Sequence, residues 1–527
     1  MAPHDRETHD WDGSERSGTR RGVGVGRWYH DLLTTIEVGP DSGDERFRDP
    51  AWDSPGYRFL LQGYLVWRRL VLASAAAPFV PAGRRQQARL LAEVVAEASA
   101  PPNTLIGNPA ALRRAVATRG ASVVRGTANF LDDVLRRQGR PAKARPGAYH
   151  LGVDLAATPG RVVHRDDLME VLQYEPRTTE VHQVPLLLIP AWVNKYYIFD
   201  LAPGRSLVEW AVREGFTVFA VSQRNPLPHH EEVGLDEYFR RVPLRALDVV
   251  REITGAAEAH LVGVCAGGML AASLATRLKA TGETGAASLT LLMSALDHPS
   301  PGEGDNPWSE LEIKLLTRVL SKQDGMVDAG RISLLLDLLR SRDTLWQPLI
   351  SGWLMGERSE PFDIWSWSED GVDVPRLLFE ETLRLSTDNA LARGRLRIGG
   401  GPVDLATATQ DAFVVAGVRD HIVPWQTVYR SARLLGGDVA FHLVPSGHVG
   451  GIISPPRPKA AYRTGPTPLP VDPSVWSAGS VSRQESWWQA WTRWLAPRSG
   501  PRVPATAVGS ARHPAGAPAP GHHVRAR

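Results

Sequence analysis

A chain of 527 residues with 43% hydrophobic and 22% charged residues is long enough to bury a large core and has the balance of a globular enzyme. The formal net charge of +3 is too small over this length to point to nucleic acid. A single cysteine excludes an intrachain disulfide and fits a reducing cytoplasm, and without a run of about 18 apolar residues no membrane span is expected.

Residues 1–43 are polar and rich in Gly and Arg, which predicts disorder. They carry no apolar core of a secretory leader, and glycine and charge follow Arg20-Arg21. Gly22, Gly24 and Gly26 imitate a nucleotide loop, but no strand precedes them. A helical domain is expected over 44–178. Its segments YRFLLQGYLVWRRLVLASA and RQQARLLAEVVAEASA place apolar residues at three- and four-residue steps, and Pro101-Pro102 stops the second.

The rhythm then changes, and 179–497 reads as the catalytic domain. Short apolar runs appear: PLLLIP (185–190), FTVFAVS (216–222), AHLVGV (259–264), LTLLMSAL (289–296), AFVVAGV (412–418) and VAFHLVP (439–445). Helical stretches separate most of them, which predicts an α/β fold with a doubly wound parallel sheet. The interval of about 298–405 is mostly helical and holds Trp308, Trp346, Trp353, Trp365 and Trp367. An insertion there would cap the strand ends, where open α/β sheets bind ligands. The 17 tryptophans point to core packing or to contact with a greasy partner. The tail, 498–527, is rich in Pro, Ala, Gly, His and Arg and is expected to be disordered, with His522 and His523 on a flexible surface.

The chemistry centres on Gly263-Val264-Cys265-Ala266-Gly267-Gly268, between the run AHLVGV and a helix. This is the G-x-S-x-G nucleophile elbow of α/β-hydrolases with sulfur in place of oxygen. Side chains beside so sharp a turn would block it, hence the glycines. A helix N-terminus behind Cys265 stabilises negative charge on sulfur, and the amide of Ala266 can donate to an oxyanion. The bland alternative is a buried, inert cysteine.

An elbow enzyme orders its triad as nucleophile, acid, histidine. Asp420 follows AFVVAGV and His448 follows VAFHLVP, so Asp420 would orient His448 as the base. His421 competes for that role but is adjacent to Asp420. Asp411 reads as a loop residue and Asp297-His298 as structural or supporting. The second oxyanion donor is expected from the loop after PLLLIP, at the amide of Val193. Gly399-Gly400-Gly401-Pro402 reads as a turn. Pro228-His229-His230-Glu231 could bind metal but reads as a solvated loop, and no cysteine–histidine zinc pattern exists, so no metal or cofactor is expected. Sulfur suits transfer from a thioester, since a thioester on Cys265 is nearly isoenergetic with its donor and an oxygen ester then lies downhill.

Further segments carry a resemblance to a known family. These are Glu45 to Trp52 (ERFRDPAW), Asn103 to Pro109 (NTLIGNP), Gly120-Ala121-Ser122, Leu155 to Val163 (LAATPGRVV), Asn194 to Leu201 (NKYYIFDL) and Arg224-Asn225-Pro226. The elbow, Asp420 to Trp425, Ser446-Gly447-His448 and Ser486-Trp487-Trp488 complete them in order over 45–496. On these the chain resembles the polyhydroxyalkanoate synthases, of the single-subunit type. The resemblance implies an (R)-3-hydroxyacyl-coenzyme A substrate, polyester and free coenzyme A as products, and no cofactor. It also implies a Cys265 nucleophile, a His448 base, an Asp420 carboxylate, a homodimer, and a cytoplasmic enzyme on the surface of its polyester granule. Gln223, Met269 and Ala191 depart from the usual pattern, and the first two bear on acyl-chain preference. An esterase or depolymerase on the same fold and an inactive granule-associated homologue remain as alternatives.

Overall fold

The computed structural model describes residues 44–81, 84–145, 147–298, 310–338, 341–358 and 360–526. The expected disorder of 1–43, with Arg20-Arg21 and Gly22, Gly24 and Gly26, lies outside the described residues, as does Trp308. Contacts divide the chain into two units, Met1–Pro102 with Gly107–Ala110, and Asn103–Ile106 with Ala111–Arg527.

In the first unit, helices α1 (Pro55–Ser74) and α2 (Arg85–Ala98) pack together. Leu61, Tyr64 and Leu65 of the first and Ala92 and Ala96 of the second, at three- and four-residue steps, are buried. Arg46 is buried between the carboxylates of Asp44 (2.8 Å) and Glu97 (2.5 Å), and the Trp52 indole donates to the Arg46 carbonyl. Phe47 packs between Trp52 and Tyr64. The ERFRDPAW segment is therefore a buried ion pair wrapped in aromatic rings.

The second unit contains α3 (Ala121–Arg137) and is built on a ten-stranded sheet. Its strands are β1 (Gly160–Arg165), β2 (Met169–Tyr174), β3 (Leu186–Ile189), β4 (Val218–Gln223), β5 (Ala259–Val264), β6 (Ala286–Leu292), β7 (Ala412–Gly417), β8 (Val439–Val444), β9 (Tyr462–Thr464) and β10 (Val481–Arg483). In space they run β1-β2-β4-β3-β5-β6-β7-β8-β9-β10. Pairs from β4 through β8 are parallel; those at both ends are antiparallel. This is the α/β-hydrolase order. β1 and β2 belong to the sheet, so the boundary expected near 178 falls after, not before, the start of the α/β unit.

Strands β2, β3, β4, β5 and β7 are buried along their whole length, as expected where both faces are covered. Alternate residues serve two cores. Leu187, Ile189, Phe219, Val221, Leu261 and Val414 join one cluster, and Leu186, Leu188, Val218, Ala220, Val262 and Val415 the other. Trp487, Trp488 and Trp491 lie in the second cluster and Trp476 in the first, so for these four tryptophans core packing is the right reading.

Six helices are used below, in chain order: α4 (Ala266–Thr281) after β5, then α5 (Glu310–Leu320), α6 (Ala329–Leu338), α7 (Asp363–Glu369) and α8 (Arg376–Asp388) between β6 and β7, then α9 (Trp425–Ala432) after β7. Two short ones follow, α10 (His448–Ile452) after β8 and α11 (Trp487–Leu495). Helices α5 to α8 are the insertion expected over 298–405. Between α6 and α7 the helix widens to π geometry over Arg342–Trp346 and Ile350–Leu354, on either side of Pro348, which cannot supply an amide hydrogen.

The tail corrects its composition. Arg502–Pro504 pairs with Glu180–His182, and the chain then runs along the free edge of β1. There Val162 N donates to Ala517 O (2.9 Å), Gly516 N to Val162 O (2.8 Å) and Ala519 N to Gly160 O (2.9 Å). The fully buried carboxylate of Glu170 accepts the amides of His522 and His523 and is paired with Arg165. His523 and Val524 are buried. Long-range pairing with a sheet edge supplies the order that the tail's own residues do not encode.

Candidate active site

Cys265 stands at the C-terminal end of β5, where neighbouring connections leave the sheet in opposite directions. It adopts φ 53° and ψ −123°, a conformation that costs energy for any residue but glycine. Two neighbours make the turn possible. A Cβ on Gly263 would fall 2.4 Å from Gly267 O, and one on Gly267 would fall 2.1 Å from Ile189 O. The second contact brings the first turn of α4 against the end of β3, and so beside the loop that carries Val193.

Asp420 and His448 follow β7 and β8, as expected. Asp420 Oδ1 accepts the amides of Ile422 and Val423, both at 2.9 Å, which leaves Oδ2 for His448 Nδ1 at 2.7 Å. The remaining ring nitrogen is free to serve Cys265. Burial alone would lower the imidazole, but hydrogen bonds to Asp420 and Cys265 and their charges outweigh it and push His448 up to about 10. His448 is only 8% exposed. The short helix α10 that carries it is held from below, since Trp487 Nε1 donates to Gly451 O (2.8 Å) and Trp488 Nε1 to Ile452 O (3.0 Å). The Ser486-Trp487-Trp488 segment thus supports the helix that carries the histidine.

The loop after β3 is clamped on three sides. Gln223 Nε2 donates to Ala191 O (2.8 Å) and Asn194 O (2.5 Å). The insertion meets it through Val372 N to Val193 O (3.2 Å), Trp367 Nε1 to Lys195 O (2.8 Å) and Tyr197 Oη to Asp370 (2.9 Å). The tail meets it where Lys195 Nζ donates to Ala526 O (3.0 Å). Asn225 of the Arg-Asn-Pro segment accepts the amide of Asp373 from the same stretch of the insertion. Ala266 opens α4, where the first amides have no acceptor within the helix.

The competing residues fall elsewhere. His421 is exposed, and Asp411 pairs with Arg498 at 2.7 Å. Asp297 is held by Arg430 and Asn389, tying the start of the insertion to α9 and α8; His298 donates its amide to Asn389. Met269 is buried in the sheet–helix core with Trp192. Asp167, His229 and His230 lie close enough together to suggest a cation site. However, His230 Nδ1 accepts the Leu227 amide (3.0 Å), so its proton sits on Nε2 and points at Asp167 (3.0 Å), which Arg241 also engages. Those groups satisfy one another.

The arrangement is that of a thiol flanked by a base, a carboxylate behind the base, and main-chain amides at a helix start and a pinned loop. It can attack an acyl carbon and hold the acyl group on sulfur. Comparison with known proteins follows the same direction. The profile described as "Poly-beta-hydroxybutyrate polymerase (PhaC) N-terminus" matches residues 43–211. Poly(3-hydroxyalkanoate) polymerase 2 of Ectopseudomonas oleovorans is 38% identical, over 94% of this chain and 89% of its own. Poly(3-hydroxyalkanoate) polymerase 1 of the same organism is 35% identical over 94% and 89%, and the polymerase subunit PhaC of Cupriavidus necator 35% identical over 92% and 83%.

Proposed function

Since the chain belongs to the poly(3-hydroxyalkanoate) polymerase family, we propose that it joins (R)-3-hydroxyacyl units from coenzyme A thioesters into polyester, with Cys265 carrying the acyl chain. The observation that carries this reading is the hydrogen-bonded pair His448–Asp420 beside a cysteine in an elbow conformation.

Cys265 passes its thiol proton to His448, and its sulfur attacks the thioester carbon. The amides of Ala266 and Val193 receive the oxyanion. The carbon–sulfur bond to coenzyme A breaks, and its thiol leaves with the proton held by His448. In the second half, a 3-hydroxyl oxygen attacks the acyl carbon on Cys265 while its proton passes to His448. The new oxygen ester forms and the Cys265 sulfur departs, recovering the proton from His448. Asp420 keeps the imidazole in the tautomer and orientation both halves need. The insertion, bonded to the loop of Val193, keeps water from the acyl-enzyme.

The reading extends to a homodimer working at the surface of its polyester granule. The exposed side chains of Phe59, Leu60 and Trp67 on α1, and of Leu131 and Leu135 on α3, support it by offering apolar surface. Among the described residues no helix is long and apolar enough to cross a membrane.

The test mixes purified protein with (R)-3-hydroxybutyryl- and (R)-3-hydroxyoctanoyl-coenzyme A, separately, beside Cys265→Ala. Thiol release with polymer, absent in the variant, is expected. Release with only free hydroxy acid would instead make the protein a hydrolase.

A further inference from the structure

Gln223 is the last residue of β4 and only 4% exposed. Both partners of its amide are carbonyls, Ala191 O and Asn194 O, so nitrogen must face them. Its Oε1 is then buried and, among the described residues, without a partner. An unpaired buried acceptor costs stability. An apolar side chain of similar length would avoid that cost, so Gln223 is poorly explained as a packing residue.

Its two bonds have a geometric consequence. The carbonyl of Ala191 fixes the peptide plane before Trp192, and the carbonyl of Asn194 fixes the plane after Asn194. The plane between Val193 and Asn194 is held by the Val372 amide. One plane remains, the Trp192–Val193 peptide, bracketed on both sides, and it carries the Val193 N–H. The Trp192 ring, buried edge-on to Tyr238, restrains it further.

We infer that Gln223 is a positioning residue for acyl transfer, bridging Ala191 and Asn194 so that the Val193 amide is aimed before the oxyanion forms. The inference rests on the reading of Val193 as an oxyanion donor. It gives the residue a task in the chemistry of every substrate, whatever its acyl length. A donor that must reorganise during the reaction stabilises charge less than one already aimed.

The experiment compares the parent with Gln223→Met, which keeps length and burial but donates nothing, and Gln223→Glu, which sets oxygen against both carbonyls. Coenzyme A release is measured with (R)-3-hydroxybutyryl-coenzyme A. In parallel, Cys265 is alkylated with iodoacetamide, a displacement at saturated carbon that forms no oxyanion. For Gln223→Met a fall of about 10- to 100-fold in kcat is expected, with KM within about twofold and alkylation unchanged; losing an oxyanion donor outright costs about 100- to 1000-fold. Gln223→Glu should fall further. Unchanged turnover in Gln223→Met overturns the inference. Equal losses of turnover and alkylation, or a variant that does not fold, make Gln223 structural and overturn it too. A parent that alkylates but releases no coenzyme A sinks the reading of the site itself, and this inference with it.

Discussion

The turn at Cys265 and the tail beyond Ser499 are both irregular backbone, yet opposite means hold them. The turn is coded by residues within five positions of one another, although Gly267 also seats against Ile189 O of β3. Glycines at 263 and 267 let main chain approach main chain, and the strained φ of Cys265 follows from strand and helix meeting with nothing between them. The tail has no such local code. Its order comes from the edge of β1 and the carboxylate of Glu170, more than 340 residues earlier in the chain. The two regions teach that irregular structure is legible when its cause lies nearby in the chain and illegible when it lies in another element.

The strongest challenge to the comparison is at the turn. Cys265→Ala should lower coenzyme A release by about 10⁴-fold or more with the fold intact, by analogy with loss of a triad nucleophile. Retained release would show that the strained turn serves something other than covalent chemistry. Next, Asp420→Asn keeps the shape but offers Nδ1 of His448 a donor instead of an acceptor. A drop of about 10²- to 10⁴-fold in turnover is expected, with the parent's far-ultraviolet circular dichroism showing that the fold is kept.

Gly267→Ala tests whether the turn is as local as it looks. The added Cβ would lie against Ile189 O, so α4 must move away from β3. A loss of about 3 kcal/mol or more in chemical denaturation is expected. A neutral result would mean that the elbow adapts more freely than its contacts suggest.

Deleting 516–527 tests the tail. Glu170 would stay buried beside Arg165 but lose two amide donors, and β1 would become an open edge. A loss of about 2–4 kcal/mol is expected, together with weaker turnover because Lys195 loses its Ala526 partner. A truncated protein with the parent's melting temperature would return the tail to the status its composition implied.

A last effect is one of pH. His448 in the folded protein is raised to about 10, above the value of about 6.5 for a free imidazole. Its protonated ring therefore stabilises the fold fully below about pH 6.5, and that contribution fades as pH climbs through about 10. Urea unfolding of His448→Gln should accordingly depend less on pH between 7 and 10 than unfolding of the parent. Parallel curves would remove the imidazolium from the site.

Much of the site was legible before the fold was known. Cys265, Asp420 and His448 each follow a β-branched apolar run, and an elbow enzyme allows only one order for its partners. The sheet was legible for the same reason, since buried strands between helices repeat over a few residues. The first two strands were not. GRVVHR and MEVLQY carry charged or polar residues, and Glu170 is buried with donors that come from the tail as well as from Arg165. Gln223 stood out as a departure bearing on acyl length, whereas the fold gives it the carbonyls of the loop after β3. Met269, marked in the same way, faces the core.

The sequence by itself determined the alternation of strands and helices, the elbow, the order of its partners and the helical insertion before the strand that leads to Asp420. Those features rest on periodicity, glycine and turn chemistry, which act over a handful of residues. Only the tertiary structure decided that the tail is ordered, that Trp487 and Trp488 hold the helix of His448, and that Gln223, Trp367 and Ala526 converge on one loop. Such hydrogen bonds join residues tens to hundreds of positions apart, and a donor and its distant acceptor leave no pattern in the residues around either one.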